Sequence, residues 1–290
     1  MHTARLPAGP AGNVAAATPI AIWCPACGDP AASIDRAARR RCAACGTIWL
    51  PQRRGYAYDD TYPAERGHHD PMVAHCKQVT LQAWLRRLAM KLAERHVLEV
   101  GFGGGATLGW MQARGAQVFG QEPVAANRAA AVAAGIRADR IKPDLADFAG
   151  QHVDLVLYLD SFEHLLDAEA HLRCLDALTA PGSRALLVLP VADSLSRRLL
   201  GRFWPHDIDD HWVFYSTHGL TRLWRRFGWR PVTSFYPWKF VSLMTIARHV
   251  RIMTGIALPL GPLEELGVWL NFGERALVFE KLPADLTLSA

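Results

Sequence analysis

The sequence predicts an α/β chain, in which a mostly parallel sheet is covered by helices on both faces and preceded by a small cysteine-rich unit. Three observations carry this prediction. Short apolar segments of strand type alternate with helical ones from about residue 97 onward, which is the rhythm of βαβ units. The first of these strands runs into a glycine-rich loop, Gly101-Phe102-Gly103-Gly104-Gly105, that opens a helix. Ahead of both stand two matched pairs, Cys24-Pro25-Ala26-Cys27-Gly28 and Cys42-Ala43-Ala44-Cys45-Gly46, with the spacing of a four-thiolate metal site.

The chain has 290 residues, 50% of them hydrophobic, enough for one sizeable core and a small appendage. Residues 1–20 are rich in Ala, Gly and Pro but hold a single arginine and no unbroken apolar run, so they predict a flexible tail and not a secretory signal. Residues 21–50 form the ribbon. The glycine after each second cysteine accepts the positive φ of a metal-binding turn, and four thiolates close a tetrahedral shell. Zinc is the expected ion, in a structural role, because a closed shell leaves no position for a reactant; Cys24, Cys27, Cys42 and Cys45 are the ligands. A redox pair or a disulfide staple is the competing reading.

Residues 51–70, with Tyr56, Tyr58 and Tyr62 irregularly spaced, predict a linker into a larger domain at 71–283. Asp70-Pro71 has the form of an N-cap followed by proline in the first turn. Leu81, Trp84, Leu85, Leu88 and Leu92 then recur at helical intervals and give one apolar face. Strands are expected at 97–100, 117–121, 153–159 and 185–189, with helices at 106–114, from 124 to 134 before Gly135, and at 168–178. Pro181-Gly182 predicts a turn. Two further strands at 231–235 and 276–280 bracket an insertion at about 236–272. It carries Trp238, Phe240, Met244, Ile246, Met253 and Trp269, which suit core packing, an acceptor pocket, a homodimer surface or a peripheral membrane contact.

The net charge of +5 permits an anionic partner such as RNA, a phosphorylated metabolite or a membrane surface, and selects none of them. Arg36, Arg39, Arg40 and Arg41 make the densest basic run, expected as a solvated loop between the cysteine pairs. No stretch supplies the ~20 uninterrupted apolar residues of a membrane helix; the nearest, 241–260, is broken by Arg248, His249 and Arg251. Cys76 and Cys174 lie in apolar helical contexts and are expected as buried thiols, which suits a reducing compartment, the cytoplasm.

The loop Gly101-x-Gly103-x-Gly105-Ala106 satisfies a dinucleotide-type fingerprint, and Glu122, at the end of the next strand, can accept both hydroxyls of a ribose. Nicotinamide dinucleotides and S-adenosylmethionine both present such a ribose. Three features favour S-adenosylmethionine. Glu99 stands two positions before the first glycine, where a carboxylate can organise the loop around an ammonium group; a long amphipathic helix precedes the first strand; and Asp160-Ser161-Phe162-Glu163-His164-Leu165 follows the 153–159 strand.

On these motifs the chain resembles the class I S-adenosylmethionine-dependent methyltransferases, of the bacterial group that carries an N-terminal zinc ribbon and often accompanies glycan, lipid or natural-product biosynthesis. The resemblance runs through Glu99 to Gly105, Gly120-Gln121-Glu122-Pro123, Phe162-Glu163-His164, the Cys42 to Leu50 knuckle, and the segments 200–205 and 211–216. It implies a Rossmann-like, seven-stranded sheet and a cofactor held by Glu99, Gly101, Gly103, Gly105, Glu122, Pro123, Asp160 and either Asp144 or Asp147. Leu189-Pro190-Val191 replaces the group's frequent Pro-Asn, so that asparagine's role is not carried over.

Methyl transfer needs an acceptor aligned with the S–CH3 bond, and a hydroxyl acceptor gains from a general base, for which histidine is best tuned near neutrality. His164, His206 and His211 are the candidates, with His211 first as base or substrate ligand, since the polar run 206–211 lies between Trp204 and Trp212. Glu163 is expected to cap or orient a helix. The expected reaction is methylation, at oxygen or carbon, of a small-molecule acceptor. An RNA methyltransferase, a nicotinamide-dependent dehydrogenase and a noncatalytic scaffold are the alternatives. Against nucleic acid, Asp160-Ser161-Phe162 lacks the Asn/Asp-Pro-Pro-aromatic motif of base amino methylation, and no cysteine stands where a pyrimidine-C5 nucleophile would.

Overall fold

The computed structural model describes residues 23–35, 39–51, 69–208 and 210–285. The tail expected at 1–20, Arg36, Asp209 and most of the 51–70 linker with its three tyrosines lie outside the described residues. In chain order, β1 (Ala32–Ile34), β2 (Arg40–Cys42) and β3 (Ile48–Trp49) form the ribbon's antiparallel strands. Helix α1 (Pro71–Arg87) is capped by Asp70, whose Oδ1 accepts from the Met72 and Val73 amides. Its buried stripe, Cys76, Thr80, Leu81, Trp84 and Leu85, repeats at three- and four-residue steps, so one face packs on the sheet.

The chain then alternates: β4 (His96–Val100), α2 (Ala106–Gln112), β5 (Gln117–Gln121), α3 (Ala125–Ala133), β6 (Ile141–Lys142), β7 (Val153–Leu159), α4 (Ala168–Asp176) and β8 (Thr179–Pro190). After α5 (Leu195–Leu200) come β9 (Val213–Phe214), α6 (Thr217–Arg226), β10 (Trp229–Phe235), β11 (Lys239–Ser242), α7 (Leu243–Thr254), β12 (Gly267–Leu270) and β13 (Glu274–Lys281). Seven strands make the main sheet in the order β10-β13-β8-β7-β4-β5-β6. The pairs β4 with β5, β4 with β7, β5 with β6 and β7 with β8 are parallel, while β13 runs antiparallel to both neighbours. The order reverses beside β4, so the carboxyl ends of β4, β5 and β7 open a crevice, the usual ligand position of such sheets.

Strand alternation sorts the sheet's two faces into two cores. Leu98, Val156, Tyr158, Leu187 and Leu189 face one, and Val97, Leu155, Leu157, Leu186 and Val188 the other. The first core continues without a break into the ribbon, taking in Cys24, Cys42, Cys45 and Trp49 together with Tyr215, Leu220 and Trp224. Strand β9 completes the ribbon sheet in the order β1-β2-β3-β9, pairing Ile48 with Phe214 and Trp49 with Val213. Gly219, in α6, fits because it has no side chain: a Cβ there would stand 2.3 Å from Thr47 Oγ1.

Several local expectations change. The apolar face of α1 does not run on to Leu92; the helix stops at Arg87, Ala89 turns to φ 49°, and Leu92 is buried from the loop beyond. Pro181-Gly182 does not reverse the chain but lies inside β8, where the pairing shifts from Val153↔Thr179 to Leu155↔Arg184. Gly182, at φ 89°, and the Ser183 hydroxyl, which donates to the Val153 carbonyl, absorb the extra residues as a bulge. Cys76 is buried as expected, whereas Cys174 is only partly so. Between β10 and β13 the chain makes the small hairpin β11–β12 and α7, and Trp238 and Trp269 of this region remain 56% and 40% exposed. Among the described residues no helix is long and apolar enough to cross a membrane.

Candidate functional site

A cleft of about 290 Å3 lies at the carboxyl ends of β4, β5 and β7, lined by the glycine loop, Gln121, Glu122 and Pro123 on one side and by Asp160, Ser161, His164, Ile208, Asp210 and His211 on the other. Lys77 of α1 stands at its edge. Gly101, Gly103 and Gly105 all have positive φ, at 72°, 58° and 75°. At Gly101 a Cβ would come within 2.8 Å of the Ser161 Cβ, so only glycine lets the loop approach the segment after β7 this closely.

Glu122 is 4% exposed and holds the loop directly. Its Oε2 accepts from the Gly103 amide at 2.9 Å and its Oε1 from the Val124 amide at 3.0 Å. Burial pushes its carboxyl up, while those amides, Asn127 and Arg128 favour the ion. A carboxylate has about four lone-pair directions; the two amides and Asn127 take three, so one remains for a ribose hydroxyl in the cleft. Glu99, at the end of β4, accepts the Thr107 hydroxyl on both oxygens at 2.7 Å. Burial raises it to about 7, against the Thr107 hydrogen bond and the Lys77 ammonium, which favour the charged form. It lines an adjoining cavity of about 180 Å3 between α1, the loop and β11, which shares Lys77, Gly101, Leu159 and Asp160 with the cleft.

At the far end three imidazoles gather. His211 is 6% exposed; its Nδ1 lies 2.9 Å from the His206 carbonyl and its Nε2 3.9 Å from Glu163 Oε1. Burial, then the neighbouring His164 and His206, hold it well below 6.5, so the ring is neutral at physiological pH. His164 crosses it edge-on at 4.8 Å between ring centroids and has its own Nδ1 2.8 Å from the Asp210 carbonyl. Glu163 is fully buried and caps no helix: Asp167 caps α4 instead, and burial, with Asp160 and Asp210 nearby, pushes the Glu163 carboxyl well up. Asp160, at φ 55°, receives Lys239 Nζ at 2.6 and 2.8 Å, and the same ammonium reaches Glu274 Oε1 at 3.0 Å.

The four ribbon cysteines converge separately. Cys24 Sγ lies 3.5 Å from Cys45 Sγ, and Cys27 Sγ 3.6 Å from Cys42 Sγ. All four sulfurs fall within 4.8 Å of one another. A tetrahedron of thiolates about 2.3 Å from zinc has edges of about 3.8 Å, so this donor set fits that ion. Gly28 and Gly46, at φ 74° and 78°, close the two knuckle turns by donating to the Cys24 and Cys42 carbonyls.

Of the residues singled out from the sequence, Gly101, Gly103, Glu122, Pro123, Asp160, His164 and His211 line the cleft, and Glu99 the adjoining cavity. Gly105 does neither; its missing side chain admits α3, with Ala131 Cβ 3.1 Å from where a Cβ would stand. Asp144 and Asp147 are exposed and outside the cleft, although Gln121 Nε2 donates to the adjacent Pro143 carbonyl. His206 turns away, with Nε2 3.3 Å from Glu274 Oε1 and its ring against Trp204. Trp204 and Trp212 are buried supports and not cleft walls. Lys77, Lys239 and Arg39 were not foreseen as parts of this region, whereas Asp210 lies in the polar run 206–211 expected there. Lys77 had a usable signal, since it precedes Leu81 by one helical turn and so borders the buried stripe.

The family described as a methyltransferase domain matches residues 73–234. Among solved structures, the complex between the Haloferax volcanii Trm112 methyltransferase activator and the putative methyltransferase is similar at 16% identity and TM-score 0.54, over 77% of this chain and 97% of that one. The YcgJ protein of Bacillus subtilis is similar at 14% identity and TM-score 0.49, over 71% and 99%. Magnesium protoporphyrin IX methyltransferase from Synechocystis PCC 6803, with bound SAH, is similar at 16% identity and TM-score 0.47, over 72% and 84%. At these identities the likeness is one of fold. A comparison with curated proteins found no match.

Proposed function

Since the chain belongs to the methyltransferase-domain family, we propose that it methylates a hydroxyl oxygen of a small biosynthetic acceptor, using S-adenosylmethionine bound in the cleft. When bound, that cofactor supplies a methyl group made electrophilic by its sulfonium. The observation that carries the proposal is the span of one cleft from Glu122 and the glycine loop to His164 and His211. Glu122 accepts a ribose hydroxyl on its remaining lone pair. Glu99, buried beside the loop, offers its carboxylate to the cofactor's ammonium group, and the amides and left-handed turns of Gly101 and Gly103 let the ligand approach the backbone. The Glu163-His164-His211 end receives the acceptor.

The chain's part in the reaction is alignment, exclusion of water and removal of one proton. His211 is suited to the last role because burial keeps its Nε2 unprotonated at neutral pH and the His206 carbonyl fixes the ring through Nδ1. The four ribbon cysteines hold a structural zinc ion in this proposal and take no part in the proton transfer. Calorimetric titration with S-adenosylmethionine and, separately, with NADH tests the cofactor assignment. Binding of the first alone is expected; binding of NADH alone would return the site to a dehydrogenase.

A further inference from the structure

Glu163 is fully buried, and among the described residues neither of its carboxyl oxygens has a hydrogen-bond partner. Such a group costs folding free energy unless something compensates its charge or it stays protonated. Lys239 compensates its charge only in part, being committed to Asp160 and Glu274, while Asp160 and Asp210 oppose it. What does face it is imidazole. Glu163, His164 and His211 each offer a ligand atom within 4.8 Å of the others.

The two histidines are arranged as metal ligands generally are. Each places Nδ1 within 2.9 Å of a backbone carbonyl, His164 against Asp210 and His211 against His206. A carbonyl only accepts, so Nδ1 carries the proton in both rings and Nε2 keeps its lone pair. Sequence spacing gives no hint of this, because 47 residues separate His164 from His211 in number alone, and β9 and the ribbon bring them together. We propose that Glu163, His164 and His211 form a binding site for one divalent cation at the acceptor end of the cleft.

Two nitrogens and one carboxylate suit zinc, manganese or ferrous iron in preference to magnesium or calcium, and three protein ligands leave coordination positions open. His164 and His211 line the cleft, so those positions face the acceptor space. Closing on an ion at about 2.1 Å asks the three ligand atoms to contract by roughly 1 Å. The location deepens the methyltransferase proposal and rests on it for its role: a cation there would fix an acceptor oxygen and favour loss of its proton, and His211 would then serve as a ligand and not as the base. The site itself is tested without turnover.

Full-length protein whose zinc content has been measured is titrated with Mn2+, followed by loss of the free-ion electron paramagnetic resonance signal, and separately dialysed against Zn2+. The four thiolates are too soft to take Mn2+, so the titration reports the nitrogen and oxygen site. One Mn2+ per chain, or one zinc beyond that of the cysteines, is expected. Glu163→Gln and His164→Gln should each weaken it at least about tenfold. His164 is half-buried, so its variant carries the test if Glu163→Gln fails to fold. No added equivalent with either ion, or an equivalent indifferent to a folded variant, overturns the site and leaves Glu163 a buried neutral acid. S-adenosylmethionine binding, measured on the same samples, judges the methyltransferase proposal separately.

Discussion

Ile48, three residues after the last ribbon cysteine, pairs with Phe214, three residues after His211, across the antiparallel β3–β9 register. The same contact is reinforced from both sides. Arg39 donates to the His211 and Ile208 carbonyls and to Asp207 Oδ1, and the Ser216 hydroxyl bonds the Cys45 carbonyl. The ribbon and the acceptor end of the cleft are thus one piece of structure, while Glu122 and the glycine loop are built on β4 and β5.

That connection sets the expected outcome of breaking the metal site. Cys27→Ser should release zinc, because a hydroxyl is a far poorer ligand than a thiolate. It should loosen residues 204–216 along with the ribbon but leave the cofactor end formed. Hydrogen exchange is expected to accelerate in 204–216, with S-adenosylmethionine affinity within about tenfold of the parent. Iron, or no metal, in carefully reduced parent protein would remove the assignment.

Glu122→Ala should weaken S-adenosylmethionine binding by about 1.5–3 kcal/mol, the usual worth of charge-assisted hydrogen bonds. It also strips the Gly103 and Val124 amides of their acceptor, so a lowered melting temperature is expected alongside. Glu122→Gln separates the two effects, since its single carbonyl oxygen satisfies one of the amides. Unchanged calorimetric affinity in a folded Glu122→Ala protein would place the ribose elsewhere.

What was legible in the sequence is what local chemistry encodes. Gly101, Glu122 and the four cysteines announce themselves by spacing, because a tight turn or a shared ion needs its residues at fixed intervals. Strand β7 is legible because an apolar run buried on both faces has few other uses. Arg39 was illegible: it reads as one of a solvated basic run, yet it is 3% exposed and anchored to residues some 170 positions later. Lys239 and Glu274 were hidden for the same reason, since Lys239 acquires meaning only from Asp160 and Glu274 only from Lys239 and His206 across the fold. Strand β9 has two residues and no periodicity of its own, and exists because the ribbon supplies its partner.

Glu99 predicts a proton released on cofactor binding. Its carboxyl stands at about 7 in the folded chain against an ordinary 4.5, because burial disfavours the charged form. Between those values the folded state holds a proton that the unfolded state has lost, so this group's contribution to stability falls as pH rises from 4.5 to about 7. A cationic ligand reverses the preference. At pH 6, S-adenosylmethionine binding should release close to one proton, read from calorimetry in buffers of different ionisation enthalpy, and affinity should rise with pH up to about 7. Glu99→Gln should abolish the release; release that persists in this variant would assign it to another group.

His211→Asn should lower turnover by about 100-fold or more while leaving cofactor affinity nearly unchanged, because the residue lines the end of the cleft away from Glu122. The pH dependence has a definite sign. His211 is held well below 6.5 by burial and by His164 and His206, so the folded chain excludes a proton that the unfolded chain binds; stability from this group is present above 6.5 and is lost as pH falls. The acidic limb of the pH–rate profile should therefore lie well below 6.5, leaving the rate flat toward neutrality as far as this group decides it. If His211 is the base, the limb disappears in the asparagine variant. If it only positions the acceptor, the limb persists and the acceptor KM rises. Full activity in His211→Asn would make the imidazole a packing group between Phe214 and His164, whose rings lie 5.8 and 4.8 Å from it.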